Sequence, residues 1–129
     1  MFENLEIFRM SNAMAVHAGM RQAVVAENIA NADTPGYAAR DVQPFEELLK
    51  QNAGGYGMRA TRASHLNGTA AGHDIAISER RDVQADPNGN SVSLELEMLN
   101  AVEVKRQHDR ALAIYKSAMT TLRTSLGRG

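Results

Sequence analysis

From Met98 onward the sequence steps through Ala101, Lys105, His108, Leu112, Tyr115, Met119, Leu122 and Leu126 in a 3,4,3,4 rhythm without a slip. A rhythm of that kind is the seam of a long helix that lies along other helices. Leu96, Leu99 and Val102 widen the seam at its start, and Ile114 and Ala118 widen it in the middle. Ser91 or Ser93 can cap the helix, with Glu95 placed in its first turn. A helix over 92–126 would run about 50 Å at 1.5 Å per residue. The other end of the chain repeats the theme. Over residues 3–32 one helical stripe collects Leu5, Phe8, Asn12, Ala15, Gly19, Gln22, Ala26 and Ile29, with Met14, Ala18 and Val25 beside it. Its small residues predict close approach of a partner helix.

Between these helices the punctuation changes. Asn31, Asp33 and Thr34 compete with the helix through side-chain hydrogen bonds. Thr34 is driven towards extended backbone by the proline that follows it. Pro35-Gly36 spells a type II turn, Pro supplying φ near −65° and Gly a positive φ. Pro44 with Glu46 and Glu47 predicts a short helix near 45–51, ended by Gly54, Gly55 and Gly57. Residues 52–74 have no period and read as loop. Asp74–Ser78 alternates and is predicted to form a short strand, paired with Arg81–Gln84. Asp86-Pro87-Asn88-Gly89-Asn90 is a second strong turn.

The expected fold is therefore all-α. Long N- and C-terminal helices pack as a coiled-coil pair, joined by a loop-rich middle that could carry a small β-hairpin. Three parts are expected: 1–37, helix and turn; 38–90, the insert; and 91–129, the C-terminal helix, which forms one unit with 1–37. Composition agrees. The 129 residues are 43% hydrophobic yet hold only three Phe, three Tyr and no Trp, so the apolar surface is mainly Ala, Leu, Val and Met. Two helices cannot bury apolar faces this broad against each other alone, which predicts further chains on the remaining faces and fraying of the isolated subunit.

Several function classes find no support. Fourteen basic and fifteen acidic residues leave a net charge of −1, which offers nucleic acid or an anionic membrane no attraction. Absence of cysteine removes disulfides, thiolate metal sites and a thiol nucleophile. His17, His65, His73 and His108 are scattered, and metal and cofactor are both expected to be absent. No G-x-S-x-G or G-K-[ST] element occurs, and no enzyme is expected. His108 reads as a polar residue that sets register on the seam. The N-terminus lacks the basic and apolar regions of a cleaved signal, and no apolar run is long enough to insert in a membrane.

The ten residues Asn28-Ile29-Ala30-Asn31-Ala32-Asp33-Thr34-Pro35-Gly36-Tyr37 resemble the signature of the bacterial flagellar axial proteins, the rod, hook and hook–filament junction subunits. The short length resembles the proximal rod subunits, two siblings of which share signature and size. Arg40-Asp41-Val42 with Phe45-Glu46, Thr61–Leu66 and Asp86–Met98 extend the similarity, with Ala63 standing where the family usually has Pro. The resemblance implies a structural subunit of the proximal rod of the basal body, polymerising through its terminal helices into the axial tube. Partners would be other rod subunits, the adaptor protein FliE and the flagellar export gate. The site would be the periplasmic rod, reached through type III export without a cleaved signal. The candidate functional residues are then the signature turn, Asn28 to Tyr37, and a subunit-packing seam of Leu5, Phe8, Ala15, Ile29, Met98, Ala101, Leu112, Tyr115, Met119, Leu122 and Leu126. A self-contained helical adaptor or chaperone is the runner-up, and it has no need of the signature.

Overall fold

A computed structural model describes residues 2–53, 75–81 and 83–127. Helix α1 spans Phe2–Ala30, strand β1 Arg40–Val42, helix α2 Phe45–Ala53, strand β2 Ile77–Glu79 and helix α3 Leu94–Leu126. The side chain of Leu5, the loop glycines 54, 55 and 57, the 61–66 similarity, His65, His73 and Asp82 lie outside the described residues.

The two long helices are antiparallel. Phe8 near the start of α1 meets Tyr115 late in α3, with ring centroids 5.3 Å apart in an edge-to-face arrangement. Further along, Arg21 meets Glu103. Helix α3 begins at Ser93, whose extended backbone and side-chain oxygen make it the cap, accepting from the Leu96 amide at 3.4 Å. It closes with the Gly127 amide donating to the Arg123 carbonyl at 2.8 Å. No helix among the described residues is long and apolar enough to cross a membrane.

The row that faces inward differs from the expected stripes by one position on each helix. On α3 the buried residues are Glu97, Val104, Ala111 and Ala118, a strict heptad. On α1 they are Ser11, His17, Ala18, Val24, Val25 and Asn28. Asn12, Gly19, Gln22, Ala26 and Ile29, expected to face inward, are exposed. The reason is physical. Small residues such as Ala18, Ala111 and Ala118 permit the closest helix approach, and satisfied polar side chains can be buried beside them. Hydropathy scores such polar positions as outward.

The middle differs as well. Strand β2 pairs antiparallel with β1, in the register Arg40↔Glu79, Asp41↔Ser78 and Val42↔Ile77, rather than with 81–84. The ladder is extended by Gln43 N–H to Ala76 O at 2.9 Å and Arg80 N–H to Ala39 O at 2.8 Å. This is a long-range pairing, so no local hairpin turn announces it. Helix α2 follows directly. Pro44 sits just before it, its carbonyl accepting from the Glu47 and Leu48 amides. Glu46 and Glu47 in its first turn and Lys50 in its last complement the helix dipole.

Candidate assembly interface

The signature begins as the last turn of α1. The Asn31 side-chain amide donates to the Glu27 carbonyl at 2.9 Å, and its oxygen accepts from the Thr34 hydroxyl at 3.1 Å. These bonds close the helix locally, as expected for Asn and Thr at a terminus. The Tyr37 amide then donates to the Thr34 carbonyl at 3.2 Å across Pro35-Gly36. Gly36 has φ 76°, the positive value the type II turn demands.

This turn is seated on the second one. The Gly36 amide donates to the Asn88 carbonyl at 3.0 Å. Gly89, at φ 82°, faces it so closely that a Cβ there would lie 3.3 Å from the Gly36 Cα. Asn90 is the fastener. Its buried side-chain amide is shared among the carbonyls of Asn31, Ala32 and Thr34 at 2.8, 2.9 and 2.8 Å, and its oxygen accepts from the Val92 amide at 2.8 Å. The Asn31 and Thr34 carbonyls also accept backbone amides, so the Ala32 carbonyl is the one that depends on this side chain at the entry to α3. Ser91 adds a bond on each side, its amide donating to Tyr37 O and its hydroxyl accepting from Ala39 N–H. Asn28, fully buried, acts like a strand edge for Arg40: its amide donates to Arg40 O at 2.8 Å and its oxygen accepts from Arg40 N–H at 3.0 Å. The Tyr37 hydroxyl donates to the same oxygen at 3.2 Å. Burial first, and the Glu27 carboxylate second, raise the Tyr37 pKa above 10.

Two further contacts hold the middle segment to the helices. Arg80 Nη1 stands 2.9 Å from Glu97 Oε1, the carboxylate wholly buried. Neither Arg80 Nη1 nor either Glu97 oxygen makes a directed hydrogen bond, so the contact is held by charge attraction, and Arg80 Nε faces Asp41 Oδ2 at 3.5 Å. His17 is also buried. The tautomer that satisfies both of its neighbours donates from Nε2 to Gln43 O at 2.7 Å and accepts at Nδ1 from the Gln107 amide at 3.2 Å. Its ring leans on Phe45 at 5.5 Å, at the foot of α2.

Sequence reasoning singled out both turns but not their union, and it missed Asn90, Arg80, Glu97 and His17 as structural contacts. Their partners lie far away in the chain, beyond any local pattern. Of the seam residues, Ala15, Ala101, Met119, Leu122 and Phe8 are partly covered within the subunit. Ile29, Met98, Leu112, Tyr115 and Leu126 are exposed, Met98 by 64% and Leu126 by 71%. With Ile7, Met10, Leu99 and Val102, also exposed, they leave each long helix with apolar surface that the chain itself does not cover. Among the described residues the grouped side chains are amides, hydroxyls and ion pairs that bond to backbone or to one another, which makes a joint. A surface of this kind, apolar on the outside and pinned at one end, suits assembly.

The model of a family described as flagella basal body rod protein matches residues 18–37, which are the end of α1 and the turn just described. A flagellar basal body rod protein FlgB of Agrobacterium fabrum is 35% identical over 116 residues, covering 88% of this chain and 87% of that protein. Those of Salmonella typhimurium and Bacillus subtilis are 29% and 28% identical, covering 84% and 95% of this chain. At that similarity over nearly the full length, with the signature forming the buckled turn, the chain belongs to the FlgB family of flagellar basal body rod proteins.

Proposed function

We propose that this rod component polymerises through the uncovered faces of α1 and α3 into the axial tube of the proximal rod, where it transmits torque and surrounds the channel for exported subunits. Membership of the rod family makes it a structural component of the basal body. The observation that carries the finer reading is the exposed apolar surface along both long helices, which an isolated helical pair cannot hide. Heterologous contacts between such faces repeat without closing, and so build a helical tube. The expected division of labour follows: 1–37 and 91–129 form the tube-building unit, and 38–90 is an insert on it. The signature turn sets the angle between the inner helices and that insert, at subunit contacts. The neighbours are other rod subunits, FliE and the export gate. The place is the periplasmic rod, reached by type III export without cleavage. Chains whose ends order only on assembly remain soluble and threadable until then.

The test is an internal epitope tag at Gly55, followed by detergent extraction of basal bodies. Recovery of the tag at the proximal end of the rod supports the reading. A soluble tagged chain, absent from basal bodies of cells that still swim, would refute it and favour the adaptor reading.

A further inference from the structure

Helix α3 carries two unlike surfaces. One is a stripe at i, i+3, i+4 and i+7, formed by Glu95, Met98, Leu99 and Val102. Its three apolar side chains are 64%, 68% and 53% exposed, and among the described residues no cation lies within 4 Å of Glu95. The other is one wall of an open cleft of about 620 Å³ between α1, α3 and the start of α2. Met14 and Phe45 give the cleft an apolar lining, and Arg106 and Arg110, one turn apart, line it together with three carboxylates: Glu103, engaged by Arg21, Asp41, engaged by Arg80, and Glu46. Arg21 in the same cleft is engaged by Glu103, whereas no carboxylate among the described residues lies within 4 Å of Arg106 or Arg110.

We infer that the stripe of one copy docks in the cleft of the next copy of this chain. The proposal rests on the rod reading and names one contact within it. The stripe has the spacing by which a helix enters a groove, with apolar anchors at successive turns. Its carboxylate meets the arginine pair, while Met98 and Leu99 meet Met14 and Phe45. Charge complementarity selects a second copy, because both halves of the match reside on one chain. A single continuous helix bears both, so no copy can place its own stripe in its own cleft. The contact is heterologous, and repetition extends it into an open array rather than closing a dimer.

The chain has no cysteine, which makes disulfide trapping clean. Leu99→Cys and Arg110→Cys are made singly and together, and basal bodies are oxidised. On one helix these positions are about 16 Å apart. That is too far for an internal disulfide, which needs Cα atoms within about 7 Å. The expected result is a ladder of linked chains from the double variant, dimers from co-expressed single variants, and monomer from each single variant alone. A second arm covers the case in which the cysteines disturb the contact. Arg110→Glu should shrink the swim ring several-fold at unchanged protein level, and adding Glu95→Arg should restore it. A chain present in basal bodies but unlinked, linked 99 to 99, or linked to a different polypeptide overturns this contact alone, as does failure of the charge exchange to restore swimming. An unsubstituted chain missing from basal bodies overturns the rod reading and the contact together.

Discussion

The two ends of the helix pair are built on different principles. At the end where α1 leaves and α3 enters, Asn28, Asn90, Ser91 and Glu97 are buried beside Val24, Val25 and Val104, and two glycines touch backbone to backbone. At the other end the subunit relies on alanines, on Ser11 bonded to its own helix and on one aromatic pair, Phe8 with Tyr115, while Ile7, Met10, Leu112 and Leu126 face outward. Directional hydrogen bonds define one geometry and need no further chain to do so. Apolar side chains left in solvent define none until something covers them. The first end makes the subunit's shape. The second end leaves apolar surface open.

That contrast can be broken at its strongest point. Arg80→Ala leaves the Glu97 carboxylate buried without a counter-charge and should cost about 3–5 kcal/mol. The double replacement Arg80→Met with Glu97→Met should recover most of that loss, as read from urea unfolding of the chain. Next in size, Asn90→Ala leaves the Ala32 carbonyl and the Val92 amide without the partner that Asn90 supplies, and an unsatisfied group costs about 1–3 kcal/mol. Gly36→Val forces a branched residue to positive φ, at about 1–3 kcal/mol. It should block rod assembly while synthesis continues, and normal swimming by that variant would refute a role for the turn in assembly. Tyr115→Ala, at the other end, should cost the dilute subunit only about 1 kcal/mol, the worth of a half-exposed aromatic pair. Backbone amides near residues 7–14 and 115–126 should exchange faster than those of 24–30 and 94–104. Equal protection at both ends would remove the distinction. The smallest effect concerns pH. Because the folded Tyr37 hydroxyl has its pKa raised, its contribution is intact below pH 10 and is lost as pH rises through the raised value.

Much of this architecture can be read from local pattern. The long helices, the positive φ at Gly36 and the Ser93 cap follow from periodicity and from the chemistry of single residues. What pattern conceals is which face turns inward. His17 and Asn28 look like surface residues until Gln43, Gln107 and Arg40 supply their partners, and this shifts the buried row by one position. The pairing of 40–42 with 77–79 and the Arg80–Glu97 contact are invisible for a related reason. Each joins segments whose proximity is a result of folding, so neither leaves a local trace. In the candidate site, the two turns announced themselves separately. Only their contact, through Asn90 and the paired glycines, reveals that they are one joint.

The short ladder between Arg40–Val42 and Ile77–Glu79 also works as a socket. It brings the start and finish of a long stretch of chain side by side on the helix pair, and Phe45 within that stretch rests on His17 of α1. The entropy of closing such a loop rises slowly, by about 0.6 kcal/mol for each doubling of its length. Segments of very different size could therefore be exchanged at this point while the helices keep their register. The same socket makes the middle of the chain a natural place to graft a reporter or a binding module.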